Sequence, residues 1–230
     1  MKPVRQARAL FLLVICPSTI LAFQADLKPA DDTLGASPPE GAIVVFNGKN
    51  LDGWVKLDGK TPAAWPVHEG IFTVGRGNIM TQKRFGDFQL HLEFNVPYMP
   101  KARGQGRGNS GVYMTGNHEL QILDSYKLNL HSDDCGGIYK QVTPAVNACK
   151  PPLQWQTYDV TFRKAKVEQG KVVKKATITV VHNGAKTIDN AEISITPGGI
   201  GVADGQEGPL MLQDHGNPVE YRNIWIKPLD

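Results

Sequence analysis

The stretch Asp87-Phe-Gln-Leu-His-Leu-Glu-Phe94 decides the fold class of this chain. Its apolar residues alternate strictly with polar ones and are Phe88, Leu90, Leu92 and Phe94. Successive side chains of a β-strand point to opposite faces of a sheet. The pattern therefore predicts a strand with one face in an apolar core and the other in more polar surroundings.

Further short apolar runs, each bounded by turn residues, lie on both sides of this strand. Asn183-Gly184 is a strong signal for a two-residue hairpin turn, and Gly116-Asn117 predicts a second one. We find no periodicity that indicates a long amphipathic helix. The series predicts an all-β fold of two packed antiparallel sheets, a sandwich or jelly roll.

The first 25 residues differ in composition from the rest. Basic residues precede an apolar run from Ala9 to Ile15, and small residues follow it. This pattern predicts a secretory signal peptide over residues 1–25, too short to span a membrane, and hence export to the periplasm or beyond. Residues 26–40 are rich in Pro, Ala, Asp and Ser, which predicts a flexible linker. Residues 41–230 then form one domain.

The net charge argues against a nucleic-acid partner. The 230-residue chain has 25 basic and 22 acidic residues, and the predicted signal peptide contains three of the basic residues and no acid. The remaining chain is nearly neutral, with no basic helix or stripe.

Two cysteines, Cys135 and Cys149, remain after the predicted signal peptide. In an exported protein such a pair most often forms a disulfide, which we predict here, with two unlinked thiols as the alternative. The nearby histidines lack the paired spacing of a structural zinc site, so zinc is not expected at this pair.

A polar face carrying aromatic residues is predicted along the strand that follows Gly116-Asn117. Leu120 and Ile122 are expected to point into the core, so Glu119 and Gln121 point out of it. A polar surface that also holds an aromatic platform is typical of a carbohydrate-binding site.

The same alternation bears on catalysis. Two-carboxylate glycosidases need both acids on one side of the site, and a continuous strand would send Glu119 and Asp124 to opposite faces. Glu93 on another strand stays open as a partner of Glu119. His215 lies near the end of a later strand, and we expect Arg222 to return close to it across a hairpin.

Six short motifs occur in the same order as in one bacterial family. These motifs are Phe46–Trp54, Asn109–Tyr113, Glu119–Asp124, Gly137–Tyr139, Leu212–Gly216 and Arg222–Ile224. Over residues 41–229 the chain resembles the 3-keto-disaccharide hydrolase domain. The resemblance implies a concanavalin- or laminin-G-like jelly roll, an exported protein, and action on glycosides that are oxidised at C3.

Such a reaction needs a general base for the C2 proton, an acid for the leaving group and donors for the enolate oxygen. Glu119 or His215 is the expected base, and Arg222 and Gln213 are expected to hold the enolate or sugar hydroxyls. The other candidate substrate-binding residues are Asn109, Tyr113, Gln121, Asp124 and Tyr139. A divalent metal is the alternative enolate acceptor, with Glu119, Asp124 and His215 as candidate ligands.

Two other functions stay open at this point. A non-catalytic carbohydrate-binding module would use the same face without a poised base. An ordinary two-carboxylate glycosidase would require Glu93 and Glu119 on one face at a suitable separation.

Overall fold

The computed structural model describes Met1 and residues 33–229. The strands in these residues are β1 (Ile43–Phe46), β2 (Trp54–Lys56), β3 (Val67–His68), β4 (Ile71–Thr73), β5 (Ile79–Phe85), β6 (Phe88–Asn95), β7 (Ser110–Met114), β8 (His118–Ile122), β9 (Gln156–Arg163), β10 (Lys166–Glu168), β11 (Lys171–Lys174), β12 (Ala176–His182), β13 (Ala185–Ile193), β14 (Gly208–Leu212) and β15 (Glu220–Pro228). The helical structure in the same part of the chain is one short 3₁₀ turn, Gly104–Gly106. The predicted all-β class is confirmed.

Two antiparallel sheets pack face to face. The eight-stranded sheet has the order β13-β12-β9-β6-β15-β4-β3, with β1 also paired to β15, and the five-stranded sheet has the order β2-β5-β14-β7-β8. Leu90, Leu92 and Phe94 of β6 share one buried cluster with Leu120 and Ile122 of β8. The apolar faces of the two sheets thus form a common core, and the predicted alternation along β6 and β8 is confirmed.

One of the two predicted hairpin turns has the expected length. Asn183 and Gly184 join β12 to β13 with φ angles of 49° and 79°, the left-handed values that a two-residue type I′ turn requires. The β7–β8 turn has three residues, Thr115–Asn117, instead of the predicted two. Thr115 itself takes a positive φ of 49°.

Strand β5, in the five-stranded sheet, was not predicted from the sequence. Its centre, Gln82 to Arg84, is a run of three exposed polar residues, so it lacks the alternation that marks β6. β10 and β11 form a two-stranded hairpin whose residues are all exposed.

The N-terminal end of the described region contacts the outer face of the eight-stranded sheet. The Gly35 amide donates to Glu93 Oε1 at 2.6 Å, and Asn223 Nδ2 donates to the Ala36 carbonyl oxygen at 3.0 Å. These residues of the predicted linker therefore pack as part of the domain, ahead of the predicted boundary at residue 41.

The predicted signal peptide, apart from Met1, and residues 26–32 of the predicted linker lie outside the described residues. In the described part of the chain, no helix has the length and apolar character needed to cross a bilayer.

Candidate active site

A cleft of about 200 Å³ opens on the outer face of the five-stranded sheet. Seven of the nine predicted catalytic and binding residues line it, and they are Asn109, Tyr113, Glu119, Gln121, Tyr139, Gln213 and His215. Arg222 and Asp124 lie elsewhere.

Strand register explains why these side chains meet. Tyr113 pairs with Glu119, and Gly111 with Gln121, across β7 and β8. The Gln213 amide donates to the Gly111 carbonyl oxygen at 3.0 Å, which extends the same row to the end of β14. Three neighbouring strands thus present every second residue on one outer face. The intervening residues of each strand point into the core.

Loops on either side of the sheet complete the cleft. The Tyr139 amide donates to the Glu119 carbonyl oxygen at 3.1 Å, so the β8–β9 loop follows the edge of β8. Gln105, on the 3₁₀ turn, accepts at Oε1 from Asn109 Nδ2 and from Gln121 Nε2, each at 3.0 Å. The sequence did not indicate Gln105 as a site residue, because the Gly- and Arg-rich run around it carries no periodic signal.

Three side-chain carbonyl oxygens of residues that line the cleft have no hydrogen-bond partner in the described part of the chain. Asn109 Oδ1, Gln121 Oε1 and Gln213 Oε1 are buried, and none has a hydrogen-bond partner among the described residues. Their amide nitrogens donate within the protein, as Gln213 Nε2 does to the Tyr113 hydroxyl at 3.0 Å. Because buried polar atoms are normally paired, three free carbonyl oxygens indicate a ligand rich in donors, such as a sugar with several hydroxyls.

The acid–base properties of the cleft centre on Glu119. Only 3% of this residue is exposed. Burial raises the pKa of its carboxyl to about 7, against a smaller lowering by the hydrogen bond from Tyr113. Burial and the nearby Glu119 carboxylate also raise the pKa of Tyr113 well above its usual value. Both protonation states of Glu119 are therefore accessible near neutral pH, which suits a general base or acid.

Arg222 does not lie near His215, and that prediction is wrong. Arg222 Nε donates to Glu93 Oε2 at 2.7 Å, and its guanidinium stacks over the Trp155 ring at 4.1 Å. The chain passes from the five-stranded to the eight-stranded sheet between Gln213 and β15. The two ends of this hairpin-like segment therefore belong to different sheets.

Glu93 also lies outside the cleft. It sits on the outer face of the eight-stranded sheet, whereas Glu119 sits on the outer face of the five-stranded sheet, with the core between them. Among the residues that line the cleft, Glu119 is the carboxylate. The arrangement does not provide the facing pair of acids that two-carboxylate hydrolysis needs.

The predicted metal ligands are not assembled as a set of three. Arg107 Nη2 donates to Asp124 Oδ2 at 2.8 Å, and Asp124 does not line the cleft that contains Glu119 and His215. Asp124 lies two residues beyond the end of β8, where its amide also donates to the Arg107 carbonyl oxygen at 2.9 Å.

The predicted disulfide is not present in the structure, where Cys135 and Cys149 are buried free thiols. A third residue that the sequence did not indicate, His182, lies beside them, and the ligand atoms of the three residues are within 4.8 Å of one another. Burial lowers the pKa of His182 to about 3, so its ring is neutral.

The chain is similar to several known proteins. A curated 3-keto-disaccharide hydrolase of Bacteroides thetaiotaomicron is 21% identical over 83% of this chain and 79% of its own length. A crystal structure of a provisionally named glycosyl hydrolase from Parabacteroides distasonis is 37% identical, covers 83% of this chain and 85% of its own, and gives a TM-score of 0.76.

A second such protein from the same organism is 22% identical, covers 83% of this chain and 95% of its own, and gives a TM-score of 0.62, which supports the fold. The family model of the 3-keto-alpha-glucoside-1,2-lyase-like domain matches residues 41–227. The chain therefore belongs to the family of the 3-keto-alpha-glucoside-1,2-lyase-like domain, a family of carbohydrate hydrolase-like proteins.

Proposed function

We propose that this protein cleaves 3-keto-glycosides, with 3-keto-disaccharides as the substrate class, and that Glu119 is the general base. The observation that carries the proposal is the buried Glu119 carboxyl, with a pKa of about 7, in a cleft with free amide oxygens. Among the described residues that line this cleft there is no second carboxylate. The name of the curated relative supports the same substrate class.

The proposed reaction follows from the acidity of a proton next to a ketone. A carbonyl at C3 stabilises the enolate that forms when Glu119 removes the C2 proton. Expulsion of the C1 substituent then gives an enone between C1 and C3. Addition of water at C1 and return of a proton to C2 complete a net hydrolysis. No carboxylate nucleophile is required, which fits the single acid of the cleft.

Two further side chains can exchange protons with the substrate. The Tyr139 hydroxyl and the His215 ring line the cleft. We assign to His215, which is exposed at the rim, the protonation of the leaving group. We assign to Tyr139 a hydrogen bond to the enolate oxygen. Gln213 presents a free carbonyl oxygen, so it suits a sugar hydroxyl and not the enolate.

The amide oxygens also suit a hard cation. Glu119, with Asn109 and Gln121, would hold a divalent ion through oxygen atoms, and such an ion would supply a Lewis acid. Gln213 would accept a hydrogen bond from a sugar hydroxyl in either case.

The test is product analysis with a 3-keto-disaccharide and its unoxidised parent, with and without a chelator. We expect the purified full chain to cleave only the keto form, and Glu119→Gln to abolish cleavage. Glu168→Gln, an exposed carboxylate on the β10–β11 hairpin, is the matched control and should be fully active. Loss of activity in the presence of chelator would show that the reaction requires a metal ion.

Two other outcomes would overturn the proposal. Binding of either sugar without cleavage would identify a non-catalytic carbohydrate-binding module instead. Equal cleavage of the unoxidised parent would identify an ordinary glycosidase.

We also propose that the protein is exported, on the basis of the basic residues and apolar run in residues 1–25. Fractionation of cells that produce the full chain should place it in the periplasm or the medium. Retention in the cytosol, with residues 1–25 still attached, would contradict export.

A further inference from the structure

Cys135, Cys149 and His182 form a buried cluster outside the cleft. Their exposed fractions are 0%, 8% and 1%, and one ligand atom from each lies within 4.8 Å of the others. Two sulfurs and one imidazole nitrogen at this spacing would supply three of the four ligands that zinc usually takes.

Two separate parts of the chain build the cluster. Both cysteines come from the loop between β8 and β9, and His182 ends β12, where it pairs with Tyr158 of β9. The Tyr158 hydroxyl lies 3.2 Å from Cys135 Sγ and donates to the Gln121 carbonyl oxygen at 2.7 Å. A set of this kind has no sequence spacing that identifies it in advance.

A hydrogen bond fixes the tautomer of His182. Its Nε2 lies 3.0 Å from Gln156 Oε1, and the same oxygen accepts from the Lys150 amide at 3.0 Å and from Asn183 Nδ2 at 3.3 Å. An oxygen that accepts from these donors also accepts from Nε2–H, so the lone pair of His182 is on Nδ1. Hydrogen bonding of the distal ring nitrogen in this way is how metal-binding histidines are commonly oriented.

The Nδ1 atom of His182 lies close to the residue that follows Cys135. His182 Nδ1 is 3.4 Å from the position that a Cβ on Gly136 would take, and Gly136 directly follows Cys135. The site therefore has a neutral imidazole within 4.8 Å of two sulfurs, and the lack of a side chain on Gly136 leaves space beside Nδ1.

We propose that Cys135, Cys149 and His182 bind one zinc ion that fixes the β8–β9 loop. Binding releases the two thiol protons, and two thiolates with one divalent ion leave the buried site without net charge, which makes its burial favourable. A disulfide would use the two sulfurs alone and would give no role to the oriented His182 nitrogen.

The ion would stabilise the strand that carries Glu119 and Gln121. The Gly136 amide, next to Cys135, donates to the Gln121 carbonyl oxygen at 3.0 Å, and Tyr158 donates to the same oxygen. The zinc site is structural in this proposal, and it does not depend on the reaction proposed for the cleft.

Metal analysis of the full chain, produced without a polyhistidine tag in medium containing zinc, tests the proposal. We expect about one zinc per chain in the wild type, and almost none in Cys135→Ser or His182→Ala. His118→Ala is the matched control, because His118 is a buried histidine whose neighbours are Thr115, Met114 and Phe162 instead of cysteines. It should keep its zinc. Chelator should lower the melting temperature of the wild type, and added zinc should restore it.

Cobalt substitution of the wild type keeps the test decisive even where a variant fails to fold. A thiolate-to-cobalt charge-transfer band would support the site. A wild-type protein that binds neither zinc nor cobalt would overturn the proposal. Thiol labelling of the denatured chain would then show whether the two cysteines are free thiols or form a disulfide, and either result leaves the proposal overturned.

Discussion

The Glu119 carboxylate oxygen Oε1 lies 2.5 Å from the position that a Cβ atom on Gly111 would occupy. The Tyr113 ring is 3.1 Å from the same point. Gly111 does not have a positive φ, so the requirement for glycine is steric and not conformational. The absence of one methyl group on β7 is what allows the carboxyl of β8 to lie across the floor of the cleft.

Gly111→Ala should therefore displace the Glu119 carboxyl. We expect kcat/KM for the 3-keto substrate to fall roughly 100-fold, because small displacements of a catalytic group are that costly. Overpacking should also destabilise the fold by about 1–3 kcal/mol. Gly106→Ala is the control, since nothing lies within 4 Å of its Cβ position. Equal activity of the two variants would contradict the positioning role of Gly111.

Tyr113→Phe should move the pH dependence of catalysis. With Glu119 as base, kcat/KM of the wild type rises with pH around an apparent pKa of about 7. The Tyr113 hydroxyl lowers the pKa of Glu119, so its removal should shift the rising limb upward by roughly one pH unit. A pH–rate profile measures this shift, and an unchanged limb would mean that Glu119 is not the titrating group.

Glu119→Gln should stabilise the protein at high pH while it abolishes activity. Because the pKa of Glu119 is raised from 4.5 to about 7 by folding, the neutral carboxyl is favoured in the fold, and stability falls as pH rises through this interval. The advantage of the glutamine variant should be small at pH 4 and reach about 3 kcal/mol above pH 7. Denaturant unfolding at several pH values measures it, and a constant difference across pH would contradict the raised pKa.

Arg222→Ala should affect stability and not catalysis. The variant leaves Glu93, whose side chain is 1% exposed, without its arginine partner, and it removes the contact with Trp155. Since Arg222 is itself partly exposed, we expect a loss of roughly 2 kcal/mol and less than a twofold change in kcat/KM of the folded enzyme. Arg84→Ala, an exposed arginine, is the control for stability. A large loss of activity at unchanged stability would show that Arg222 takes part in catalysis.

The sequence predicted the parts of the site that follow from strand alternation. Once Leu120 and Ile122 are assigned to the core, Glu119 and Gln121 must face outward together, and the structure places both in the cleft. The same reasoning holds for β6, where His91 and Glu93 lie opposite the core residues. Alternation depends only on residues that are neighbours in the sequence, so it can be recognised in a single sequence.

Contacts between distant segments could not be predicted in the same way. Gln105 reaches the cleft through its bonds to Asn109 and Gln121, and His182 reaches the cysteines from another strand. Arg222 was misplaced because the sequence does not show that the chain changes sheets before β15. These positions depend on which strands become neighbours, and no short motif encodes that.

The measurement that tests the central claim most directly is the position of solvent deuterium in the product of a 3-keto-disaccharide cleaved in D₂O. Removal of the C2 proton by Glu119, elimination and hydration predict a 3-keto-sugar that carries deuterium at C2. Product incubated without enzyme, or with Glu119→Gln, should gain deuterium far more slowly. A cleaved product that keeps its original C2 hydrogen would show direct displacement at C1 and would contradict the proposed role of Glu119.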